Sequence, residues 1–446
     1  MRLLIFLFFF FYCPSFFGQS IHFSIPHFSD KELKCWIDKG SRADTIYKQK
    51  LNNFGETNIN FTTSEENVSL AFSVQNSEPI RILYNKNENI SILNSTKELK
   101  SNSFIIENSP TNTTIFNCLF QLQNLENKSM LINKMSSLYE AKNPFLKELF
   151  NEKNRIQQKI STINDSLALS TTFEAKYIRL KILANEITAN TTVNNIENKT
   201  TARNHFINDV DFDLLYSSGF WVPIVRSTLH IYNESAPFYE RFGDDVISIL
   251  KKIKKEEIFE TFYQDALFIS DNLDWVKDKE NIENYLIQSG RISDENLLKF
   301  KNNQKLHLGK KSPKLQLPNS NNSKKNSANK PEKKLSMLLF YETGCNHCEE
   351  EIEKVKQNFS LLKNNDVQFI SFSSDTDSAA FNEKAKSLPW SDNFCSLKGM
   401  EDPNFKNFLV AVTPTFYIIN NNGYIIYKTY QFNKVMSFLN DFLKQK

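Results

Sequence analysis

The stretch from Leu335 to Lys446 constrains the fold more than any other part of the chain. "LSMLLFYE" is a continuous apolar strand, and "CEEEIEKVKQNFSLLKNN" is a helix with Ile352, Val355, Phe359 and Leu362 turned inward. "VQFISFS" reads as a strand, "DSAAFNEKAKSL" as a helix and "TPTFYIIN" as a strand. "NNGYIIYKTY" adds a turn and a further strand, and "FNKVMSFLNDFLKQK" closes with a helix. The order is β-α-β-α-β-β-α. Cys345 and Cys348 fall where its first strand meets its first helix.

Six cysteines in 446 residues would give about 0.08 C-x-x-C pairs by chance, so the bare motif says less than its position. In "FYETGCNHCEEE" Cys345 sits at a helix N-terminus, where unpaired N–H groups and the helix dipole stabilise a thiolate. The thiolate is the attacking species in disulfide exchange, and Cys348, one turn on, can resolve the mixed disulfide. His347, when charged, favours the thiolate, whereas Glu349, Glu350 and Glu351 oppose it. Spacing alone does not sign the net effect. The element order is that of a thioredoxin fold. Such folds place a cis-proline where "AVTPTFYII" has Thr413-Pro414, at the start of a strand, giving an extended edge that holds a substrate peptide beside the active sulfur. Only about 5% of X-Pro bonds in folded proteins are cis, so it is the fold context that selects this one.

The rest of the chain divides by period. Residues 21–123 are β-rich, with "ELKCWID", "TNINFTT", "VSLAFSV" and "IRILYN" separated by Asn, Ser, Gly and Glu clusters. Residues 124–303 carry helical spacing. "NPFLKELFNEKNRIQQKI" puts Phe145, Leu149, Ile156 and Ile160 on one broad face, and Ser293 is a candidate N-cap for "SDENLLKF". The aromatic residues of this block are read as core. The expected fold class is multidomain: an N-terminal β-rich domain (21–123), a central all-α region (124–303) and a C-terminal α/β thioredoxin-like domain (304–446). "PNSNNSKKNSANKPEKK", residues 318–334, is a low-complexity loop within the last.

The first residues, "MRLLIFLFFFFYCPSFFGQS", have the layout of a secretory signal, with Arg2, an apolar run and the small residues Gly18 and Ser20 (residues 1–20). The uninterrupted run from Leu3 to Cys13 is short of the ~20 residues a spanning helix needs. A lipid on Cys13 would want small neighbours that "FFYC" lacks. The expectation is export to the periplasm or cell envelope, with membrane association left open. Composition excludes several chemistries. With 10 glycines, none spaced as a dinucleotide or phosphate loop, and six histidines forming no H-E-x-x-H, a phosphate-cradling enzyme or a zincin is not expected. A net charge of +3 without a basic stripe gives no reason to expect nucleic acid as a partner.

Four blocks carry a family resemblance: "LHLGKKSPKLQL", "LLFYETGCNHCEEE", "FSSDTDSAAFNEKAKSLPW" and "VTPTFYIINNNGYII". They resemble the successive blocks of TlpA/ResA-like extracytoplasmic thiol–disulfide oxidoreductases, over residues 305–446. More weakly, residues 21–300 resemble the β-rich and helical domains that precede such thioredoxins in Bacteroidota proteins. The resemblance implies an enzyme, a protein thiol–disulfide oxidoreductase, with Cys345 as nucleophile, Cys348 as resolving cysteine and Pro414, after Thr413, as the cis-proline that docks substrate. Glu351 matches the family's C-x-x-C-x-x-E pattern and would tune proton transfer. His347 is similar to the histidine of strongly oxidising CPHC-type enzymes. The implied partners are cysteine-containing envelope proteins and a membrane electron donor. The implied state is a monomer that needs no cofactor or metal, and the implied role is reductive, as in cytochrome maturation. Gly344 departs from the family, which usually has an aromatic residue there, and the Asn/Lys/Ser tract replaces or stretches its usual strand and turn.

Other readings of the cysteine pair fit less well. A structural zinc site needs four ligands, and past Cys348 there is only Cys395 and no histidine. Copper delivery would want a distal histidine. A peroxiredoxin would need Thr three residues before its peroxidatic cysteine, where Glu342 stands. The alternative kept open is a non-catalytic envelope binding or scaffold protein in which residues 345 and 348 form a structural disulfide. Cys35 and Cys118 are compatible with a structural disulfide or with two buried thiols, and Cys395 is expected to be a buried unpaired thiol.

Overall fold

In the computed structural model, which describes residues 19–63, 65–100, 103–140, 142–193, 195–233, 238–317 and 335–444, the expected change of period is visible as a change of architecture. The signal segment with Arg2 and Cys13, apart from its last two residues, lies outside the described residues, as does the tract 318–334. The described chain divides into two compact units, one running to Tyr239 and including Ile253–Thr261, the other made of Glu240–Lys252 and the residues from Phe262 on.

In the first unit, strands β1 (Gln19–Ser24), β2 (Glu32–Lys39), β3 (Arg42–Lys50), β4 (Glu56–Phe61), β5 (Asn67–Val74), β6 (Ile80–Asn85), β7 (Ile90–Leu93) and β8 (Ile105–Glu107) form two sheets. Their orders are β4-β1-β7-β8 and β3-β2-β5-β6. Alternation explains the core between them. Ile21 and Phe23 of β1 meet Leu33 and Cys35 of β2 and Leu70 and Phe72 of β5, and the Phe23 and Phe72 rings cross edge to face at 5.1 Å. Strand β5 is buried on both faces because its outward positions are small. Ser69 gives its N–H to the Ser217 carbonyl at 2.9 Å and its hydroxyl to Asp38 at 3.1 Å.

The helical part begins earlier than its periodicity predicts. Helix α1 spans Pro110–Ser136, with Ser109 as N-cap and proline in the first turn, so the expected division at 123/124 falls inside it. The Thr- and Asn-rich first turns hid the helix, but its start chemistry is the usual one. Asn112 fastens it to β6 by accepting from the Leu83 N–H at 3.0 Å and donating back to the Leu83 carbonyl at 2.5 Å. Helices α2 (Phe145–Leu169), α3 (Phe173–Thr192), α4 (Ile196–Asn208), α5 (Phe212–Tyr216) and α6 (Trp221–Tyr232) follow. Leu149 and Ile156 are buried, and Ile160 packs against the core that holds Leu122, Leu167 and Ile178. Phe145 is not. It is exposed and lies edge-on to Tyr139. Phe116 and Phe120 likewise stack on each other on the outer side of α1, so the aromatic residues of this block are not all core.

The second unit joins helices to the C-terminal sheet. After α7 (Phe242–Leu250), helix α8 (Glu256–Asn272) enters it at Phe262, and α9 (Val276–Ser289) and α10 (Asp294–Gln304) follow; Ser293 caps α10 by accepting from the Asn296 N–H. The expected boundary at 303/304 therefore does not separate compact units. Buried polar contacts are the reason. Glu283 of α9 meets His307 at 2.9 Å, Glu280 accepts the Leu308 N–H at 3.1 Å, and Asp274 accepts from the Thr429 hydroxyl. Strands β9 (Leu335–Tyr341), β10 (Val367–Ser373), β11 (Asn393–Cys395), β12 (Thr415–Asn420) and β13 (Ile425–Thr429) form one mixed sheet in the order β11-β10-β9-β12-β13. Strands β9, β10 and β11 are parallel, and β12 and β13 are each antiparallel to their neighbour. Helices α11 (Asn346–Asn364), α12 (Ser378–Lys386), α13 (Pro403–Asn407) and α14 (Phe432–Lys444) complete the unit.

Strand β9 is apolar throughout because both faces are covered. Met337, Leu339 and Tyr341 pack with Ile352 and Val355 of α11 and Val435 and Leu439 of α14. Leu338 and Phe340 point the other way, onto Phe405, Phe408 and Leu306. This is the expected thioredoxin-like arrangement, with the carboxyl ends of three parallel strands on one edge. Together, the β sheets, the helices and this α/β domain make up the multidomain fold that the sequence predicts. No described helix is long and apolar enough to cross a membrane.

One carboxylate gives the second unit a pH dependence. Asp278 of α9 accepts the Gly243 N–H at 2.7 Å, near the start of α7. Burial pushes its pKa up to about 6; the Gly243 bond and Lys277 work against this, and the charges of Glu240 and Asp244 add to it. The folded state thus holds the proton more tightly than the unfolded chain. Stability from this group is full below about pH 4 and lost as pH rises through about 6. Thermal midpoints of wild type and Asp278→Asn, compared between pH 4 and 7, are expected to diverge in that window and run parallel above it. A difference that does not vary with pH contradicts this.

Candidate active site

The site is assembled where β9 hands the chain to α11. Tyr341 ends the strand, and Glu342, Thr343 and Gly344 make the turn. Gly344 has φ +80°, a left-handed conformation that a side chain would disfavour, which accounts for glycine where an aromatic residue was expected. Asp375, just past the end of β10, clamps this turn by accepting the Thr343 N–H at 3.0 Å and the Thr343 hydroxyl at 2.6 Å. The Ser373 hydroxyl, at 2.5 Å, holds Asp375 in place.

Cys345 is the N-cap residue of α11. Its sulfur accepts the Cys348 N–H at 3.4 Å, taking the place an oxygen holds at an ordinary cap. A sulfur so placed faces the unpaired donors and positive end of the helix. The Cys345 sulfur also lies 4.0 Å from the carbonyl oxygen of Thr413. The Thr413–Pro414 peptide is cis, as the fold context predicts.

The two cysteines differ in surroundings. Cys345 is half-buried, whereas Cys348 is wholly buried, and both are free thiols. The Cys348 thiol is pushed up to about 12, first by burial and then by its bond to Cys345, against weaker opposing contacts with Thr413 and the Glu342 backbone. Cys348 therefore stays protonated at neutral pH while Cys345 is open to solvent.

The four residues Cys345, Cys348, Thr413 and Pro414 are thus brought together. The two residues expected to tune the pair are placed differently. His347 is exposed, with Nδ1 4.0 Å from Glu350. Glu351 is buried, and its carboxylate is engaged by Lys354 at 2.7 Å and by the Phe432 N–H, at the start of α14, at 2.6 Å.

Three features escaped the sequence. Asp375 belongs to the site through Thr343, although 32 residues separate them. Lys384 of α12 forms an ion pair with Glu349 of α11. Cys395 is not the buried thiol that was expected. It is half-buried at the end of β11, in register with Ser373, and donates to the Asp375 carbonyl at 3.3 Å. Only the parallel order β11-β10-β9 sets it on the edge that carries Cys345. Cys35 and Cys118 are free thiols in separate cores, the sheet core and the α1–α3 cluster. Among the described residues, no group of three or more His, Cys, Asp or Glu side chains could hold a metal ion.

Residues 308–428 match the sequence profile of the AhpC/TSA family. This segment is an AhpC/TSA-family domain. It begins in the segment beside β13, where Gly309 donates to the Ile425 carbonyl at 2.7 Å, and ends within β13, so the match takes in β9 to β12, most of β13, and Cys345 and Cys348. No curated protein matches the chain. Among solved structures the chain is similar to a thiol-disulfide oxidoreductase from Bacteroides fragilis, at 24% identity over 30% of this chain and 99% of that one, with a TM-score of 0.27. A thioredoxin-like protein from Bacteroides caccae is similar over 55% of this chain and 94% of that one, at 14% identity and a TM-score of 0.41. The thioredoxin domain of a thiol-disulfide oxidoreductase from Bacteroides vulgatus is similar over 30% and 98%, at 16% identity and a TM-score of 0.26. The AhpC/TSA-family domain therefore follows a β-rich and helical region that its profile does not reach.

Proposed function

We propose that the chain is an envelope thiol–disulfide oxidoreductase acting through Cys345 and Cys348. The observation that carries this reading is the asymmetry of the pair: a half-buried sulfur at a helix N-cap, 4.0 Å from the Thr413 carbonyl, backed by a buried thiol one turn in. In the reductive direction the Cys345 thiolate attacks a substrate disulfide, and one substrate sulfur leaves as a thiolate. Cys348 then loses its proton and attacks the Cys345 sulfur, which releases the second substrate thiolate. The protein dithiol becomes a disulfide, the substrate disulfide becomes a dithiol, and two protons pass to the substrate.

The substrates would be cysteine-containing envelope proteins, docked along the backbone at Thr413-Pro414. Val412, immediately before them, is 54% exposed, which suits contact with another chain. A reductant of this kind, as in cytochrome maturation, must be recharged by a membrane electron donor. Glu342, exposed after β9, occupies the place where a peroxidatic site needs threonine, which argues against peroxide as the substrate.

The test is the reduction potential of the pair in the protein from residue 21 on, equilibrated in graded thiol–disulfide buffers and read by alkylation and mass spectrometry. A reversible transition between about −120 and −300 mV is expected. A pair that stays oxidised far below that range, or never closes, overturns the reading and leaves a binding protein with an inert 345–348 pair.

A further inference from the structure

The three glutamates after Cys348 oppose a thiolate at Cys345 as the sequence stands, but none of them is isolated in the fold. Glu351 is engaged by Lys354 at 2.7 Å, and Glu350 lies 4.0 Å from His347. Both of these charged partners come from the same helix, at the spacing any helix would bring together, and Glu351 further accepts the Phe432 N–H at the start of α14. Glu349 is different. Its partner is Lys384 of α12, reached only because α12 packs beside the start of α11. Lys384 has a side chain only 9% exposed, so its ammonium is committed to this contact. Glu349 also touches the turn itself, accepting the Gly344 N–H at 3.4 Å, one residue before the nucleophile.

We propose that Lys384 is a positioning residue of the thiol site, which cancels the charge of Glu349 in the first turn of α11 and so sets how readily Cys345 gives up its proton. The inference rests on the exchange reading for its biological meaning, but not for its test. Among the described residues, the ionisable groups of this edge include Tyr341 at the end of β9, Glu342, His347, Cys348, Glu349, Glu350 and Glu351 on the segment of Cys345, Asp375 after β10, Lys384 on α12 and Cys395 on β11. Asp375 holds the turn by the Thr343 N–H and hydroxyl. Of these groups, Lys384 is the cation that another element supplies. Removing it leaves Glu349 uncompensated within a few ångströms of the Gly344 N–H, on a partly solvated edge where one charge moves a titration midpoint by about half to one pH unit.

The experiment is a charge cycle read at the sulfur. The fully reduced protein is alkylated with iodoacetamide from pH 5 to 10, and the rate at Cys345 is followed by peptide mass spectrometry, which separates it from the other thiols. The midpoint of the profile is read rather than the rate at one pH, because a thiolate of higher pKa is also the better nucleophile. Lys384→Met is expected to raise the midpoint by about half to one pH unit and Glu349→Gln to lower it by a similar amount. The double variant returns it to the wild-type value, and Lys384→Arg leaves it there. Unmoved midpoints in the single variants overturn the proposal. So does a double variant that shifts as far as Lys384→Met, since Lys384 would then act other than through Glu349. If Lys384→Met does not fold, Lys384→Gln takes its place, with the same upward shift expected and an unmoved midpoint overturning the proposal. If the variants show the shifts but the wild type exchanges no disulfide, the proposed function is refuted and this inference stands.

Discussion

Cys345→Ser brings disulfide exchange down to background, whereas Cys348→Ser permits the first attack and stops at the mixed disulfide. A serine hydroxyl at Cys345 is not ionised at neutral pH, so the attacking species is gone, and a loss of roughly three orders of magnitude or more is expected. The loss is chemical rather than structural, because serine is itself a favoured N-cap residue and keeps the Cys348 N–H satisfied. In Cys348→Ser the half-buried Cys345 sulfur remains, and with it the first bond-forming step. What is missing is the buried thiol that would displace the substrate from Cys345. A peptide disulfide offered to the reduced variants, with products read by non-reducing mass spectrometry, separates the two outcomes. An adduct on Cys345 should accumulate in Cys348→Ser and be absent in Cys345→Ser. Turnover retained by Cys345→Ser would reject the assigned order of attack, and no adduct in either variant would point to the inert-pair alternative.

Phe340→Ala lowers the stability of the C-terminal sheet by about 3–5 kcal/mol. Phe340 is fully buried in β9, the central strand, on the face away from α11. Its ring meets Phe372 at 5.3 Å, Phe405 at 5.1 Å, Phe408 at 5.3 Å and Tyr417 at 6.0 Å, so truncation removes four aromatic contacts together. Rigid strands and α13 surround the space, and little of it can collapse, which puts the cost at the upper end of such substitutions. Leu361→Ala, on the exposed side of α11, is the control, at under about 0.5 kcal/mol. Hydrogen exchange in peptides from β9 and β10 reads this sheet directly. A loss below about 1 kcal/mol there would show that the Phe340 face is not the core described here.

Much of the architecture was legible because it rests on local periodicity. The β9 run, the inward row Ile352, Val355 and Leu362, and the Ser293 cap needed no knowledge of the fold, since each depends on residues a turn or two apart. The start of α1 was missed because its Thr- and Asn-rich turns have weak helix propensity, and its contact with Leu83 supplies the missing stability from β6. Phe145 was misplaced because period alone names a face without saying whether another element covers it.

At the site the division is sharper. The sequence by itself determined that Cys345 begins a helix with Cys348 one turn inside it, because strand-to-helix order and spacing are properties of the chain. It determined as well that Thr413-Pro414 opens a strand, whereas the antiparallel pairing of that strand with β9 came only with the fold. Only the tertiary structure decided how the charges add up. Glu349, Glu350 and Glu351 are identical in sequence and adjacent, yet one is exposed beside His347, one is buried under α14, and one is paired with Lys384, 35 residues away. The sign of an electrostatic effect depends on distance and on exclusion of water, and both are set by which elements pack together rather than by which residues are neighbours in the chain.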